Sequence, residues 1–359
     1  MMWGRVGDGN CGRKLTLNSD SREAGLEIMN ASGRAPDTIS FCLCAQGGEM
    51  RLDQSLAQVL PQFSRARLQQ WIREGRVRVD DSVLRPRDSV RGGETVLLQV
   101  PQAESGEWQA EAIPLDVVYE DEDLLVINKP ADIVVHPGAG NPDGTLLNAL
   151  LHHTPSLASL PRAGIVHRLD KETSGLMVVA KNEASRLNLI DQLSRRSLKR
   201  EYLAVLAGVP VAGGTVDAAI GRHPRERTRM AISPRGKPAV SHFRVVRRFR
   251  QHALVRVQLE SGRTHQIRVH MAHIGFPVFG DPVYGGRLRI PRDSDETLIA
   301  VLRGFRRQAL HAARLGLIHP RTGQEMEWEA SVPADMQNLI DQLERDQRDH
   351  ADTSAGGRQ

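Results

Sequence analysis

Five apolar runs of strand length, Leu124–Asn128, Gly175–Lys181, Glu201–Leu206, Val240–Phe249 and Leu254–Glu260, follow one another with only two helical patterns, Thr145–His153 and Glu183–Leu193, among them. A doubly wound parallel sheet needs a helical crossover after nearly every strand, because a parallel return cannot be made by a short turn. Here strands adjoin strands, so the pattern predicts an α+β chain whose larger domain carries a mixed, largely antiparallel sheet. One more helix is expected over Thr264–Ile274, ended by Gly275.

A second, smaller module precedes that sheet. From Met50 onward Leu52, Leu56, Val59 and Leu60 recur at helical spacing. Ser64 is placed to cap a second helix whose apolar face is Leu68, Trp71 and Ile72, and Gly75 ends it. Val77 and Val79 alternate as a strand, and Gly92-Gly93 precedes a strand over Thr95–Val100. Residues 50–100 therefore read as a compact α+β module, 101–113 (PQAESGEWQAEAI) as a linker, 114–345 as the main domain and 346–359 as a flexible tail. Residues 1–48 read as a disordered extension, with Met50 a plausible start. All three cysteines (Cys11, Cys42, Cys44) lie in that extension, which gives neither a disulfide framework nor a four-ligand zinc site and agrees with a reducing cytoplasm. No run approaches the ~18 uncharged apolar residues of a membrane helix, and no secretory pattern opens the chain.

Charge adds a partner class. The chain carries 48 Lys and Arg against 43 Asp and Glu, a net +5, and only six of the basic residues are lysine. Arginine offers a planar fork for phosphate, although an arginine-rich codon usage explains the bias equally well. The distribution is more telling: Gly221–Arg250 holds ten basic residues and one acidic one, a local +9, while the rest of the chain sums to −4. Pro224, Pro234, Gly236 and Pro238 make part of this segment a loop, which suits phosphate contact through Arg225, Arg227 and Arg229. In the small module Arg65 and Arg73 are expected on the helix face opposite Trp71, as a second nucleic-acid surface.

Three polar segments carry chemistry. The first is Gly164-Ile165-Val166-His167-Arg168-Leu169-Asp170-Lys171-Glu172-Thr173-Ser174-Gly175. Asp170 has Arg168 and Lys171 close in sequence, and neighbouring cations favour a charged carboxylate. Such an Asp could be a nucleophile, a general base or a metal ligand; equally, it could cap a turn with Thr173 and Ser174. The second is Ser261–His270, where Thr264 is expected to cap the helix and place Arg263 at a strand-to-helix corner. His265, His270 and His273 are spaced i, i+5, i+8 rather than as an i, i+4 metal pair, so no metal is expected. The third is Lys199–Ala204, with Tyr202 either a core aromatic or a stacking face.

Taken in order, His167-Arg168-Leu169-Asp170 with Thr173-Ser174-Gly175, Arg200-Glu201-Tyr202 and Gly262-Arg263-Thr264-His265-Gln266-Ile267-Arg268 resemble the three motifs of the RluA-type pseudouridine synthases. Residues 50–100, beginning Met50-Arg51-Leu52-Asp53, resemble the S4-type RNA-binding module, and the likeness spans roughly residues 50–345. The resemblance implies an isomerase that breaks the uridine N1–C1′ bond, turns the uracil and rejoins it through C5, without cofactor or metal. The target base must be flipped out of RNA structure into a pocket. By resemblance Asp170 is the essential carboxylate, Tyr202 stacks on the uracil, Arg263 pairs with Asp170, His167 and Arg168 contact the substrate, and Ile267 packs under the site. The implied partner is large-subunit ribosomal RNA or its precursor particle, met by a cytoplasmic monomer with no membrane and no small-molecule cofactor. Two competing readings are a ribosome-associated RNA-binding factor with an inactive pocket and a metal-dependent hydrolase.

Overall fold

The computed structural model describes residues 38–43, 49–60, 63, 65–99, 108–138, 140–226 and 228–356. The chain divides into two compact units at Gly106/Glu107. In the first unit, strand β1 (Thr38–Cys42), helices α1 (Leu52–Val59) and α2 (Arg65–Arg73), and strands β2 (Val77–Val79) and β3 (Thr95–Gln99) surround one core. β3 is central and antiparallel to both β1 and β2. Leu52, Leu56, Leu68, Ile72, Val77, Val79, Val96 and Leu98 are buried together, as their periodicity requires.

Two expectations for this unit are corrected. Residues 38–42 are an edge strand and not a disordered extension; every residue of β1 has a register partner on β3, from Thr38 opposite Gln99 to Cys42 opposite Thr95. Arg65 does not present a free guanidinium: it donates to the Asp53 carboxylate at 2.8 Å, and that side chain is fully buried. A buried carboxylate needs a paired cation, so Arg65 serves the fold. Arg73 is exposed and makes no ion pair among the described residues. Cys44, Arg227 and most of the predicted extension and linker lie outside the described residues.

The second unit is built on a nine-stranded sheet. Its strands are β4 (Val117–Glu120), β5 (Leu124–Lys129), β6 (Ser174–Ala180), β7 (Lys199–Ala207), β8 (Gly214–Asp217), β9 (Val240–Arg248), β10 (His252–Leu259), β11 (Leu310–Ile318) and β12 (Glu325–Glu329). Their order is β8-β9-β10-β7-β11-β6-β5-β4, with β12 pairing β11 from outside this path. Only the β11–β6 pair is parallel, so the sheet is mixed and largely antiparallel, as the strand adjacency predicts. Both faces are covered. Leu125, Ile127, Met177 and Val179 enter one core with helices α3 (Leu146–His153) and α5 (Gln266–His273), while Leu124, Val126, Leu176 and Val178 enter another with helix α4 (Glu183–Ser194). Burial on both faces explains why these strands read as unbroken apolar runs.

β11 lies between β7 and β6, so it alone joins the half of the sheet built from residues 117–180 to the half built from 199–259. Gly175 makes that junction possible. Its φ is +113°, and a Cβ there would sit 2.3 Å from the Ala312 carbonyl oxygen.

The expected boundaries also shift here. Helix α6 (Glu296–Gly304) and helix α7 (Ala334–Gly356) pack together, with Leu298, Leu302, Met336, Leu339 and Leu343 buried. α7 runs on through the predicted tail, and Asp346 is buried against Arg250 at 2.8 Å. Residues 108–113 are not a free linker, because Asn148 of α3 donates to the Gln109 carbonyl at 2.8 Å and accepts from Glu111 N at 3.1 Å. No described helix is long and apolar enough to cross a membrane.

Candidate active site

The site grows from a backbone conformation. Arg162, Ala163 and Gly164 are all left-handed, with φ of 57°, 51° and 75°. Three such residues in succession are costly outside glycine, and they persist because packing fixes them. Gly164 is pressed so closely on β6 that a Cβ would lie 1.9 Å from the Ala180 carbonyl oxygen. The chain then runs through Val166–Leu169 to Asp170, whose carbonyl accepts from Thr173 N at 3.0 Å and closes a turn. The turn role and the carboxylate role are therefore compatible, because the carbonyl makes the turn and leaves the side chain free to point into the cleft.

Buried cations clamp this loop from below. Lys129, at the end of β5 and 1% exposed, donates to the carbonyls of Pro130, Ile133 and Lys171 at 2.6, 3.1 and 3.0 Å. Arg307 donates to the Glu172 carbonyl at 3.3 Å and pairs with Asp335. Burial pushes the Lys129 ammonium down to about 8, against the pull of Glu172, Asp170 and Asp132. The depressed pKa sets a sign. Below pH 8 the lysine is charged folded or unfolded; between about 8 and 10.5 only the unfolded chain keeps the proton, so stability rises with pH across that window. Denaturant midpoints of the wild type and Lys129→Met at pH 7.5 and 9.5 are expected to show the wild type gaining about 2 kcal/mol on the variant. Parallel curves would show that the ammonium is not desolvated.

The side chain of Asp170, 16% exposed, receives Arg268 Nη1 at 3.0 Å. Arg263, expected to be that partner, instead donates to the Pro238 carbonyl at 3.2 Å and is exposed at the rim. The reason is helix phase. The N-cap is His265, in a left-handed conformation with φ of 57°, and not Thr264. No described side chain caps the helix; Gln266 instead ties down the preceding corner by accepting from Arg263 N at 3.0 Å and Ser261 Oγ at 2.8 Å. Arg268 is consequently the residue α5 aims at Asp170. It is fixed from the other side by Asp281, whose side chain is fully buried and accepts from Arg268 Nε and Nη2 at 2.6 and 2.9 Å. Burial opposes the Arg268 charge, and Asp281 and Asp170 outweigh it, holding its pKa above the ordinary value. Asp281 in turn accepts from Val283 N and Tyr284 N. Tyr284 lies 5.1 Å under the Arg268 guanidinium and bonds His265 Nδ1 at 2.9 Å, while His265 Nε2 is 4.0 Å from Asp170.

Arg168 and Lys171, the cations nearest Asp170 in sequence, are exposed and make no ion pair with it. Arg268, Asp281 and Tyr284 were not assigned from the sequence. Arg268 sits inside the third motif, but only the helix phase shows where it points. The Asp281-Pro-Val-Tyr284 run carries no periodic signal.

Asp170 opens on a cleft of about 970 Å³. Tyr202 of β7 lines it, buried, with its hydroxyl bonded to no described residue, and burial pushes its phenol above the ordinary value. Leu169 and Ile267 form apolar wall and are buried with Tyr202 in one core. His167 lines the cleft and is neutral: burial, then Arg200, lowers its pKa to about 3, Nε2 accepts from Val178 N at 3.1 Å, and Nδ1 is buried without a partner among the described residues. Arg168 stands exposed at the rim beside His136, whose imidazole is pushed down to about 4 by burial and then by Arg162 and Arg168.

The basic segment does not act as one surface. Arg247 pairs with Glu344 and Arg250 with Asp346, so α7 neutralises its C-terminal part. Arg229 pairs with Glu226 at 3.0 Å and stacks 5.5 Å from the Tyr284 ring centroid. Arg225 remains exposed without an ion pair among the described residues. His270 bonds Ser241 and Ala218, as a core network histidine does. Among the described residues Asp121, Asp123 and His319 alone converge closely enough to share an ion, but Tyr119, Asn182, Ser185 and Arg321 already occupy those carboxylates, away from the cleft.

Known proteins resemble this chain over most of its length. Residues 123–273 match the family model described as RNA pseudouridylate synthase, and residues 50–96 match the S4 domain. The chain is 55% identical over 303 residues to ribosomal large subunit pseudouridine synthase D of Escherichia coli strain K12, which spans 84% of this chain and 93% of that protein. It is 57% identical over 299 residues to the protein of the same description from Pseudomonas aeruginosa, spanning 83% and 93%. Among solved structures, human RNA pseudouridylate synthase domain containing 4 superposes with a TM-score of 0.51 at 25% identity, covering 64% of this chain and 93% of that one.

Proposed function

The chain belongs to the RNA pseudouridylate synthase family and carries an S4 domain in front of its catalytic unit, and on that premise we propose that it isomerises specific uridines of large-subunit ribosomal RNA through Asp170. The observation that carries the reading is a carboxylate fixed at 3.0 Å by a doubly paired arginine at the mouth of a cleft that also holds a buried tyrosine. Isomerisation moves no electrons in or out, so it asks only for a placed carboxylate, an aromatic face and a pocket that takes a flipped base. Asp170 acts at the sugar–base junction and Tyr202 stacks on the uracil. Arg268 orients the carboxylate, the part that the family resemblance implied for Arg263, and Ile267 closes the floor. Comparison of pseudouridine maps of large-subunit ribosomal RNA from cells with and without this protein tests the assignment. One or more sites are expected to vanish and to return with the wild-type gene, and an unchanged map would refute it.

The pairing pattern supports a division among the RNA-contacting arginines. Arg168→Ser and Arg225→Ser are each expected to lower the slope of log affinity against log salt by ~0.7–0.9, the effect of one lost phosphate contact. Arg229→Ser, whose guanidinium already serves Glu226, is expected to change it much less. Equal slopes for all three variants would remove the distinction.

A further inference from the structure

Arg200 lies on β7 two residues before Tyr202, so both side chains leave the same face of the strand, and both line the cleft. It is only 8% exposed, yet its guanidinium makes no hydrogen bond or ion pair with any described residue, and its Nε is buried without a partner. Arginines of similar burial elsewhere are paired, Arg268 with Asp170 and Asp281, Arg307 with Asp335. Its strand neighbour Glu201 is already taken by Arg256 and Gln258. The titratable groups beside Arg200 are the neutral His167 and the protonated Tyr202. Gly262 lies directly beside this guanidinium: a Cβ there would fall 2.7 Å from Arg200 Nη1 and push it aside. An unpaired buried cation is unfavourable, so the anion it serves arrives with the substrate.

We propose that Arg200 is a catalytic residue that stabilises the uracil while it is detached from the sugar; this rests on the reading of the cleft given above. When the N1–C1′ bond breaks, its electron pair leaves on the base and spreads over N1, O2 and O4, and the Asp170 carboxylate balances the electron-poor C1′. After the ring turns, C5 attacks C1′ and returns the pair to a carbon–carbon bond; the C5 proton is lost and N1 takes one up, with no net change in charge or oxidation state. Guanidinium N–H groups beside the stacking tyrosine meet the base oxygens at the stage when they carry charge. The backbone phosphates stay at the rim, where Arg162, Arg168 and Arg263 are exposed.

Single-turnover conversion and equilibrium binding of one ribosomal RNA fragment, measured with the full-length protein, separate the possibilities. Arg200→Gln is expected to slow conversion by roughly 10²–10³-fold while Kd stays within about threefold. Gly262→Ala keeps Arg200 but displaces its guanidinium, and is expected to slow conversion about tenfold. With 5-fluorouridine at the target, whose base is the more stable anion and whose C5 fluorine leaves no proton for the last step, loss of the N1–C1′ bond is followed instead, and the Arg200→Gln deficit in that step should shrink at least about tenfold. A weakened Kd with an unchanged rate would assign Arg200 to a phosphate and overturn the proposal, as would equal deficits on both substrates. Wild-type turnover beside an inert Asp170→Asn protein checks the underlying reading separately.

Discussion

Asp170→Asn is expected to bind substrate RNA as the wild type does and to form pseudouridine at least ~10⁴-fold more slowly, the scale on which enzymes respond to loss of the group that meets the reacting atoms. The substitution keeps the shape of the side chain and an oxygen that can accept from Arg268 Nη1, now 3.0 Å away. Arg268 also keeps its second carboxylate, Asp281, so no buried cation is stranded and thermal stability is expected to change by less than ~1 kcal/mol. Rate and affinity therefore separate cleanly. Pseudouridine formation in a labelled ribosomal RNA fragment and filter binding of the same fragment would measure them. A variant that retained even a tenth of wild-type activity would show that Asp170 does not carry the reaction.

Asp281→Asn should fail differently. Asp281 does not itself line the cleft, but its fully buried carboxylate holds two nitrogens of Arg268, which does. Removing that charge weakens two of the three carboxylate hydrogen bonds of a buried guanidinium and takes away its fully buried counter-ion, and is expected to destabilise the second unit by about 3–5 kcal/mol. For a domain of this size the melting temperature should fall by roughly 10 °C. Arg268 is then free to swing, and the misplacement of Asp170 is expected to slow turnover ~10²-fold at temperatures where the protein is still folded. Calorimetry and single-turnover rates on one preparation would check both. An unchanged melting temperature would mean that the Arg268–Asp281 pair contributes little to the fold.

The sequence was most informative where one physical pattern dominated. Apolar runs from Leu124 to Leu259 marked strands because both faces of the sheet are buried, and the alternation at Val77 and Val79 marked the small module. β11 was not identified because LHAARLGLI is rich in alanine and interrupted by Arg314, a composition that suits a helix as well as a strand; its place between β6 and β7 decides the matter. The edge strand at Thr38–Cys42 was hidden by its polar surroundings, and its pairing with β3 is a long-range contact. Within the site, the three motif positions Asp170, Tyr202 and Ile267 line one cleft. Arg263 was matched to Asp170 by resemblance alone; that Arg268, in the first turn of α5, is the arginine facing the carboxylate is a three-dimensional contact that no spacing shows. Asp281 and Tyr284 belong to a loop whose importance comes only from what it touches.

The position of β11 has a consequence for how the molecule comes into being. Asp170 leads into β6 on one side of that strand, whereas Tyr202 on β7 and Arg268 after β10 belong to the other side. The two halves are stitched together by residues 310–318, which follow both of them in the chain. During translation the RNA-binding unit can therefore fold first, while the halves of the catalytic sheet wait with β6 and β7 edges unsatisfied. The catalytic sheet is closed only when β11 docks between β6 and β7, and that docking brings Asp170, Tyr202 and Arg268 to one cleft.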